Sequence, residues 1–180
     1  MEHVFLACQP IFDRARSVAG YELLYRGGIA PRAVVDQAET ATARVALGAL
    51  TEMGFDQLVG DHVVWINVTR EFMLQGLVNS LPAKRVVLEL LEHQLVDQKL
   101  IGKISELRDA GYRFALDDFT DGPGTEELLP LVEFVKLDLV SLGADGPARE
   151  AERLKPHGLT LVAEKGRDPR GVRAQPRSRL

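Results

Sequence analysis

The stretch Phe114-Ala115-Leu116-Asp117-Asp118 shows the pattern that decides the fold of this chain. A short apolar run, long enough for one buried strand, leads directly into two carboxylates. Strands that are buried on both faces are nearly continuous apolar runs, and they are typical of parallel sheets covered by helices. The carboxyl ends of such strands meet at one rim, where this architecture places its polar chemistry. The stretch therefore predicts a strand of an α/β fold with acidic residues at the rim.

The same pattern recurs along the chain. Successive apolar runs end on side chains that can bind a metal through oxygen, namely Glu22, Asn67, Glu89, Asp138 and Glu164. Carboxylate and amide oxygens are the ligands that Mg²⁺, Mn²⁺ and Ca²⁺ prefer. Acidic residues at strand ends also cap the following helix, so a single one would be weak support for a site. Their repetition at successive strands favours a metal–oxygen site, with helix capping as the open alternative.

Two further residues extend this predicted site. Asp118 is placed to reach a second metal ion, and paired ions can clamp the attacking and leaving oxygens in phosphodiester hydrolysis. Lys136 lies one residue inside its predicted strand, between Val135 and Leu137. Its ammonium group could orient a water nucleophile or neutralise a phosphate.

Predicted strands and helices alternate along the chain with short connections. The strands are expected at 4–12, 18–25, 63–68, 85–90, 113–116, 134–139 and 159–163, and the helices at 34–53, 70–79, 97–109 and 147–155. This alternation is the sequence signature of a βα-barrel or of a doubly wound sheet. No internal repeat or low-complexity linker divides the sequence.

Composition limits the classes of protein to which the chain can belong. Its 180 residues can bury a core, and a net charge of -4 argues against a nucleic-acid polymer as partner. No apolar run is long enough to cross a bilayer, and no secretory signal is visible at the N-terminus. The single cysteine, Cys8, cannot form an internal disulfide and is expected to be a small buried side chain. These features predict a cytoplasmic, single-domain protein without membrane contact.

Several linked motifs resemble those of the EAL domain family. They are Gln9-Pro10-Ile11, Gly20-Tyr21-Glu22-Leu23-Leu24-Tyr25-Arg26 and Ala115-Leu116-Asp117-Asp118-Phe119. That family adopts a modified TIM-type (β/α) barrel and cleaves the bacterial messenger cyclic di-GMP. The Glu-Ala-Leu signature stands here as Glu22-Leu23-Leu24. Segments 66–72 and 85–92 are most similar to the subfamily in which an EAL-like half precedes an HDOD half, which is often regarded as non-catalytic.

The resemblance implies roles for particular residues. The metal-ligand positions are Glu22, Asn67, Glu89 and Asp117, with Asp118 at the second-metal position, and the implied cofactor is Mg²⁺ or Mn²⁺. The implied catalytic residues are Lys136, which helps to place the attacking water, and Glu164. Gln9 and Arg26 match positions that touch the dinucleotide.

Two departures from the family pattern bear on activity. In active members the aspartate pair is followed by Phe-Gly-Thr-Gly-Tyr-Ser-Ser, whereas this chain reads Phe119-Thr120-Asp121-Gly122-Pro123-Gly124-Thr125. Leu91 also stands where a threonine is usual. Ligands without their supporting loop indicate a site that binds but turns over poorly.

The last residues depart more strongly. Residues 166–180 contain five arginines and replace the expected Val-Glu-Thr, helix and final strand. Codons can be chosen for residues 166–180 that, when read after removal of one base, encode an amphipathic helix of the kind that the family has at this point. We therefore expect a truncated EAL-like domain at 1–165, followed by a disordered tail that arose by frameshift. The alternative is that this basic tail binds nucleic acid or acidic lipid. A closed barrel usually needs at least about 200 residues, so we expect an incomplete barrel with exposed edges and marginal stability.

Three functions are compatible with the sequence. The favoured one is a bacterial signalling module that binds cyclic di-GMP or a protein partner without turnover. A second copy of the chain, in a homodimer, is one such partner. The second is a metal-dependent phosphodiesterase that converts cyclic di-GMP to the linear dinucleotide. The third is a gene fragment without function.

Overall fold

A computed structural model gives the fold of the protein and describes residues 5–26, 54–91, 94–117 and 124–164. Seven strands form one sheet: β1 Phe5–Phe12, β2 Val18–Arg26, β3 Val63–Val68, β4 Val86–Leu90, β5 Arg113–Leu116, β6 Phe134–Asp138 and β7 Thr160–Glu164. The helices are α1 Phe55–Val59, α2 Arg70–Leu74, α3 Gln98–Asp109, α4 Thr125–Leu128, α5 Leu139–Leu142 and α6 Gly146–Leu154. Short 3₁₀ turns lie at Leu77–Ser80, Ala83–Arg85, Leu129–Leu131 and Lys155–His157.

The strand order distinguishes between the two predicted architectures. Every strand pairs with the next one in the sequence, from β1 to β7. The first pair is antiparallel and all later pairs are parallel. A doubly wound sheet would require a reversal of the strand order, whereas a barrel adds its strands in sequence. Within the described ranges β1 and β7 are the two edges, so the sheet is a half-barrel and the predicted incomplete barrel is confirmed.

The outer face of the sheet packs against the helices. Strand side chains alternate between the faces, and those on the outer face are apolar and almost fully buried. They include Leu23, Ile66, Leu88, Phe114 and Val135, all of which belong to one hydrophobic core. Helix α3 adds Leu100, Ile104 and Leu107 to the same core. This burial of apolar area is the main stabilising contribution to the fold.

The inner face carries a smaller apolar cluster of Trp65, Val87 and Ala115. The Trp65 ring lies 4.8 Å from the ring of Phe134, measured between centroids. Because side chains repeat every second residue along a strand, the next inner-face positions towards the carboxyl ends are polar. The cluster therefore forms an apolar layer beneath the strand-end residues.

Local chemistry explains how the elements around α3 are held. The Asp97 side chain accepts a hydrogen bond of 2.9 Å from the backbone N–H of Leu100 and so caps the helix. After the helix, the buried hydroxyl of Tyr112 lies 2.9 Å from the carbonyl oxygen of Val78 and 2.8 Å from that of Leu81. These contacts connect the 3₁₀ turn at Leu77–Ser80 and the residue that follows it to the start of β5.

Two sequence-based expectations need correction. The helix predicted at 70–79 is interrupted: α2 ends at Leu74, because Gly76 adopts a left-handed conformation with φ of 74°. Cys8 was expected to be buried, but it is exposed because β1 is an edge strand without a described neighbour on its other side. Partial burial still raises the pKa of its thiol.

Some expectations concern residues outside the described ranges. These are the helix at 34–53, the loop at 118–123 and the tail at 166–180. Helix α1 has no counterpart among the predicted helices. Among the described helices, none combines the length and the apolar character needed to cross a membrane.

Candidate functional site

Lys136 lies at the centre of a group of carboxylates on the inner face. Its Nζ atom is 2.7 Å from Oδ1 of Asp117 and 3.0 Å from Oε1 of Glu89. It is also 3.2 Å from Oε2 of Glu164 and 3.6 Å from Oε2 of Glu22. We call these four acidic side chains the carboxylate ring. The structure thus brings together five of the ten residues that the sequence nominated.

The strand pattern explains why the ring forms. Glu22, Glu89, Lys136 and Glu164 come from four different strands, β2, β4, β6 and β7, and Asp117 directly follows β5. All occupy inner-face positions, with Glu22 and Lys136 in the middle of their strands and Glu89, Asp117 and Glu164 at or beside the carboxyl ends. The backbone N–H of Asp117 donates a 3.0 Å hydrogen bond to the carbonyl oxygen of Leu90, which fixes the end of β5 beside the end of β4. Parallel pairing of successive strands therefore converts a dispersed series of residues into one site.

The ring has a buried part and a part nearer to solvent. The side chains of Glu89, Glu22 and Lys136 are at most 3% exposed. Those of Asp117 and Glu164 are 13% and 15% exposed. A molecule that approaches from solvent would therefore meet Asp117 and Glu164 before it met the deeper carboxylates.

Burial and charge act in opposite directions on the groups of the ring. Burial raises the pKa of Glu89 to about 8, with Lys136 opposing this and the neighbouring Glu22 and Asp117 carboxylates adding to it. Burial alone would lower the pKa of Lys136, but the surrounding carboxylates outweigh it and raise that pKa above its ordinary value. Lys136 is therefore held as a cation, while Glu89 resists ionisation.

The chemistry of the donor set fits a divalent cation. Four carboxylates surround a single ammonium group, which leaves an excess of negative charge that one hard cation would offset. Oε2 of Glu89 is buried and has no hydrogen-bond partner among the described residues, which is a costly state for a carboxylate oxygen. The family resemblance implies Glu22, Asn67, Glu89 and Asp117 as the residues that would hold the metal.

The geometry is different from that of an assembled metal centre. Across the described ranges, no three His, Cys, Asp or Glu side chains are arranged so that they could hold a metal ion together. The oxygens of the ring converge on Lys136 Nζ instead. A metal would therefore require the ammonium group or the carboxylates to move.

The remaining nominated residues have different placements. Asn67 pairs in register with Glu89, and Gln9 pairs with Glu22, so both occupy inner-face positions beside the ring. Oε1 of Gln9 is buried and without a hydrogen-bond partner in the described part of the chain. Arg26 ends β2, but its side chain lies outside the described part, and Asp118 lies outside it altogether.

Asp138 illustrates the capping alternative. Its Oδ1 atom accepts hydrogen bonds of 2.8 Å from the backbone N–H of Val140 and 3.2 Å from that of Ser141. Its Oδ2 atom accepts a 2.7 Å bond from the Ser141 hydroxyl. Asp138 therefore caps α5, and helix capping is the correct interpretation for this member of the series.

Trp65 was not nominated from the sequence, yet it forms the apolar layer under the ring. A Cβ atom added to Gly20 would lie 3.0 Å from Trp65 Nε1 and 2.8 Å from the carbonyl oxygen of Val63. The indole therefore packs against the backbone of Gly20, at a distance that leaves no room for a Cβ atom. The signal was the lone tryptophan of the chain, followed two residues later by Asn67.

Two curated proteins are similar to this chain. The cyclic di-GMP phosphodiesterase CdgJ of Vibrio cholerae is 32% identical over 148 residues, which cover 81% of this chain and 34% of CdgJ. The uncharacterized protein YuxH of Bacillus subtilis is 30% identical over 167 residues, which cover 90% of this chain and 41% of YuxH. The chain thus spans roughly a third to two fifths of the length of these relatives. No protein-family model matches the chain.

Solved structures share the fold at lower sequence identity. The PaMucR phosphodiesterase in complex with c-di-GMP superposes with a TM-score of 0.70 at 20% identity, over 93% of this chain and 87% of PaMucR. The EAL domain of Mycobacterium smegmatis DcpA gives 0.66 at 22% identity, over 94% and 84% of the two chains. Klebsiella pneumoniae BlrP1, in a manganese and cy-diGMP complex, gives 0.62 at 20% identity, over 91% and 52%. These structures show that the chain has the fold of EAL domains, and the identity to CdgJ supports an EAL-like domain.

Proposed function

We propose that this EAL-like domain is a signalling module that binds cyclic di-GMP together with a divalent cation at the carboxylate ring, and hydrolyses it slowly or not at all. The observation that carries the proposal is the position of Lys136 among the four carboxylates. The site retains its charged residues, but it is organised around an ammonium group.

The choice of ligand rests on the relatives. CdgJ is a cyclic di-GMP phosphodiesterase, and PaMucR and BlrP1 have been solved with this nucleotide. In this chain the buried Oε1 atom of Gln9 lacks a hydrogen-bond partner among the described residues, and Gln9 lies opposite Glu22 in the ladder. An amide at that position suits hydrogen bonding to a nucleotide, and Arg26 is the proposed second contact.

The need for a cation follows from charge. Cyclic di-GMP carries two phosphodiesters, and an excess of carboxylates would repel them. A bound divalent cation would neutralise that charge and polarise a phosphoryl oxygen. Glu22, Asn67, Glu89 and Asp117 are the proposed ligands, with Asp118 as a further one. Manganese in the BlrP1 complex supports Mg²⁺ or Mn²⁺ as the ion.

Poor turnover is proposed for two reasons. The Lys136 side chain is 3% exposed, and its ammonium group is directed at four acidic side chains of the protein itself and not at solvent. The segment that follows Asp118 also lacks the family pattern, and Leu91 replaces the usual threonine. A displacement reaction needs its groups held within a fraction of an ångström, which a site without its supporting loop does not provide.

A metal-dependent phosphodiesterase is the second candidate. It is favoured by one observation: each carboxylate implied by the resemblance that lies in the described part of the chain reaches the same ring. In that case Lys136 would orient the attacking water and Glu164 would hold a proton at the rim. A protein partner or a homodimer is compatible with either candidate.

Calorimetric titration of purified protein with cyclic di-GMP, in Mn²⁺ and separately in EDTA, tests the proposal. We expect binding in Mn²⁺ only, and chromatography of the same mixture should show intact nucleotide. Glu22→Ala should abolish the binding, whereas Glu133→Ala, at an exposed position, should not change it.

Each other outcome has a definite meaning. Linear dinucleotide that disappears in Glu22→Ala would favour the phosphodiesterase. Folded protein that binds no nucleotide under either condition would refute both candidates. Failure to obtain any stable protein would favour the gene fragment.

A further inference from the structure

Lys136 contacts more carboxylates than it can serve as a hydrogen-bond donor. An ammonium group has three N–H donors, and four acidic side chains lie within 4.0 Å of Nζ. They come from four separate chain segments. Lys136 is therefore a shared counter-ion for the whole ring and not the partner of one residue.

The surroundings of Lys136 leave it little capacity for other roles. Its side chain is 3% exposed, whereas Asp117 and Glu164 lie nearer to solvent. A phosphate that entered from solvent would meet carboxylate oxygens first. In this arrangement the ammonium group neutralises the protein's own charge and not that of a ligand.

The contacts of Lys136 also define where a metal would compete. Oε1 of Glu89, Oδ1 of Asp117 and Oε2 of Glu22 all face Nζ at 3.6 Å or less. These carboxylates are also the proposed metal ligands. A divalent cation bound to these oxygens would repel the nearby ammonium group strongly in a buried site, so the two cations compete for the same oxygens.

We propose that Lys136 is an internal cation that takes the place of the metal in metal-free protein, and that a divalent cation must displace it in order to bind. This inference rests on the proposed function for the identity of the metal ligands. Lys136 thus has two opposed effects: it stabilises the ring without metal, and it weakens the affinity of the ring for metal. It is a positioning residue for the carboxylates.

Replacement of Lys136 by methionine separates these two effects. Methionine keeps an unbranched side chain of similar length but carries no charge. Without metal, four buried or half-buried carboxylates would lose their counter-ion, so in EDTA the melting temperature of Lys136→Met should fall by about 10 °C. With the competing cation removed, its Mn²⁺ affinity should be at least about tenfold tighter than that of the wild type.

The experiment measures Mn²⁺ binding by electron paramagnetic resonance of the free ion, and melting temperature in EDTA and in saturating Mn²⁺, without nucleotide. We expect Mn²⁺ to raise the melting temperature of Lys136→Met much more than that of the wild type. Lys103→Met is the matched control, because Lys103 pairs with Glu106 on α3, away from the ring, and its side chain is 14% exposed. It should behave like the wild type in both measurements.

Lys136→Arg keeps the inference testable if the methionine variant folds poorly. Arginine retains the charge, so this variant should fold without metal and bind Mn²⁺ no more tightly than the wild type. A methionine variant that folds only with Mn²⁺ would support displacement. One that stays unfolded in saturating Mn²⁺ while the arginine variant folds would refute it, because metal could then not replace the ammonium group. An unchanged or weaker Mn²⁺ affinity in folded Lys136→Met would also refute it.

These measurements are independent of nucleotide binding. If neither protein binds cyclic di-GMP while the Mn²⁺ affinity of Lys136→Met rises, the proposed function fails and the displacement mechanism stands. If cyclic di-GMP binds but Mn²⁺ affinity is unchanged by Lys136→Met, the displacement mechanism fails alone.

Discussion

The outer and inner faces of the half-barrel are buried to a similar degree but by different chemistry. On the outer face, Leu88 and Phe114 have no exposed surface, and every neighbour in the core is apolar. On the inner face, Glu89 has none and Lys136 is 2% exposed, and their neighbours are other ions. Apolar burial stabilises in proportion to area, whereas a buried ion pair costs desolvation that its partner only partly returns. The outer face therefore holds the fold, and the inner face is retained at some cost in stability.

The largest expected effect is on the outer face. Phe114→Ala should lower the free energy of unfolding by about 3–5 kcal/mol, because it leaves a cavity in the middle of the core. Chemical denaturation followed by circular dichroism measures this change. Leu95→Ala, at a position that is 67% exposed, is the control and should change stability little. Equal losses in the two variants would show that the outer face is not the core.

A smaller loss is expected where the inner face is apolar. Gly20→Ala would place its Cβ 2.8 Å from the carbonyl oxygen of Val63, so β2 and β3 must separate or Trp65 must move. Overpacking of this kind typically costs about 1–3 kcal/mol. The same denaturation experiment measures it, and the fluorescence of Trp65, the single tryptophan, should shift at the same time. Gly102→Ala is the matched control, since its added Cβ would meet nothing within 4 Å. A Gly20→Ala variant with wild-type stability and fluorescence would contradict the packing described for Trp65.

A substitution at Glu89 tests most directly whether the inner face contributes less to stability than the outer face. Glu89→Gln keeps the shape of the side chain, and burial already raises the pKa of Glu89 to about 8, so in EDTA it should change the free energy of unfolding by less than about 1 kcal/mol. Stabilisation by Mn²⁺ should be lost, because the amide is a weaker ligand for a hard cation. Melting curves with and without Mn²⁺ measure both effects, with Glu133→Gln as the exposed control. A loss in EDTA as large as that of Phe114→Ala would mean that the inner face also holds the fold.

The smallest effect is expected at the cap of α3, on the outer side of the sheet. The Leu100 N–H and Arg70 hold the pKa of Asp97 below its ordinary value of 3.8. The folded state therefore binds fewer protons than the unfolded state, so the contribution of Asp97 is present above about pH 3.8 and is lost as the pH falls through the lowered pKa. Asp97→Ala should lower the melting temperature by a few degrees at pH 7, and the difference from wild type should narrow in acid.

Asp97→Asn is the control for the cap. Asparagine still caps the helix but cannot pair with the charge of Arg70, so its effect should be milder than that of alanine. A difference between wild type and Asp97→Ala that stays constant down to acid pH would contradict the titration of Asp97.

The elements that could be predicted from sequence are those with a local cause. The buried strands, the helix at 97–109 and the acidic strand ends all follow from short patterns. The break in the helix at 70–79 was not predicted, because a glycine within a helical pattern does not reveal by itself that its φ is positive, as the 74° of Gly76 is. Asp138 could not be separated from the proposed metal ligands, because a cap and a ligand have the same sequence signature at a strand end.

The arrangement around Lys136 has no local cause. Its contacts with Glu22 and Glu164 join residues from opposite ends of the sheet, and they depend on the register of every strand between. The sequence indicated that a lysine lies near the rim, but not that four acidic side chains converge on its Nζ atom. Such an arrangement requires the assembled sheet.

The exposed thiol on β1 has a practical consequence. Cys8 is the single cysteine of the chain, and it is adjacent to Gln9, whose partner across the ladder is Glu22. A fluorophore or spin label attached there needs no engineered mutation and has one point of attachment. Because its pKa is raised, labelling calls for mildly alkaline buffer. Cys8 itself pairs with Leu23 and faces the outer side of the sheet, so the protein carries its own reporter position on β1, one residue along the chain from a side chain that lies beside the carboxylate ring.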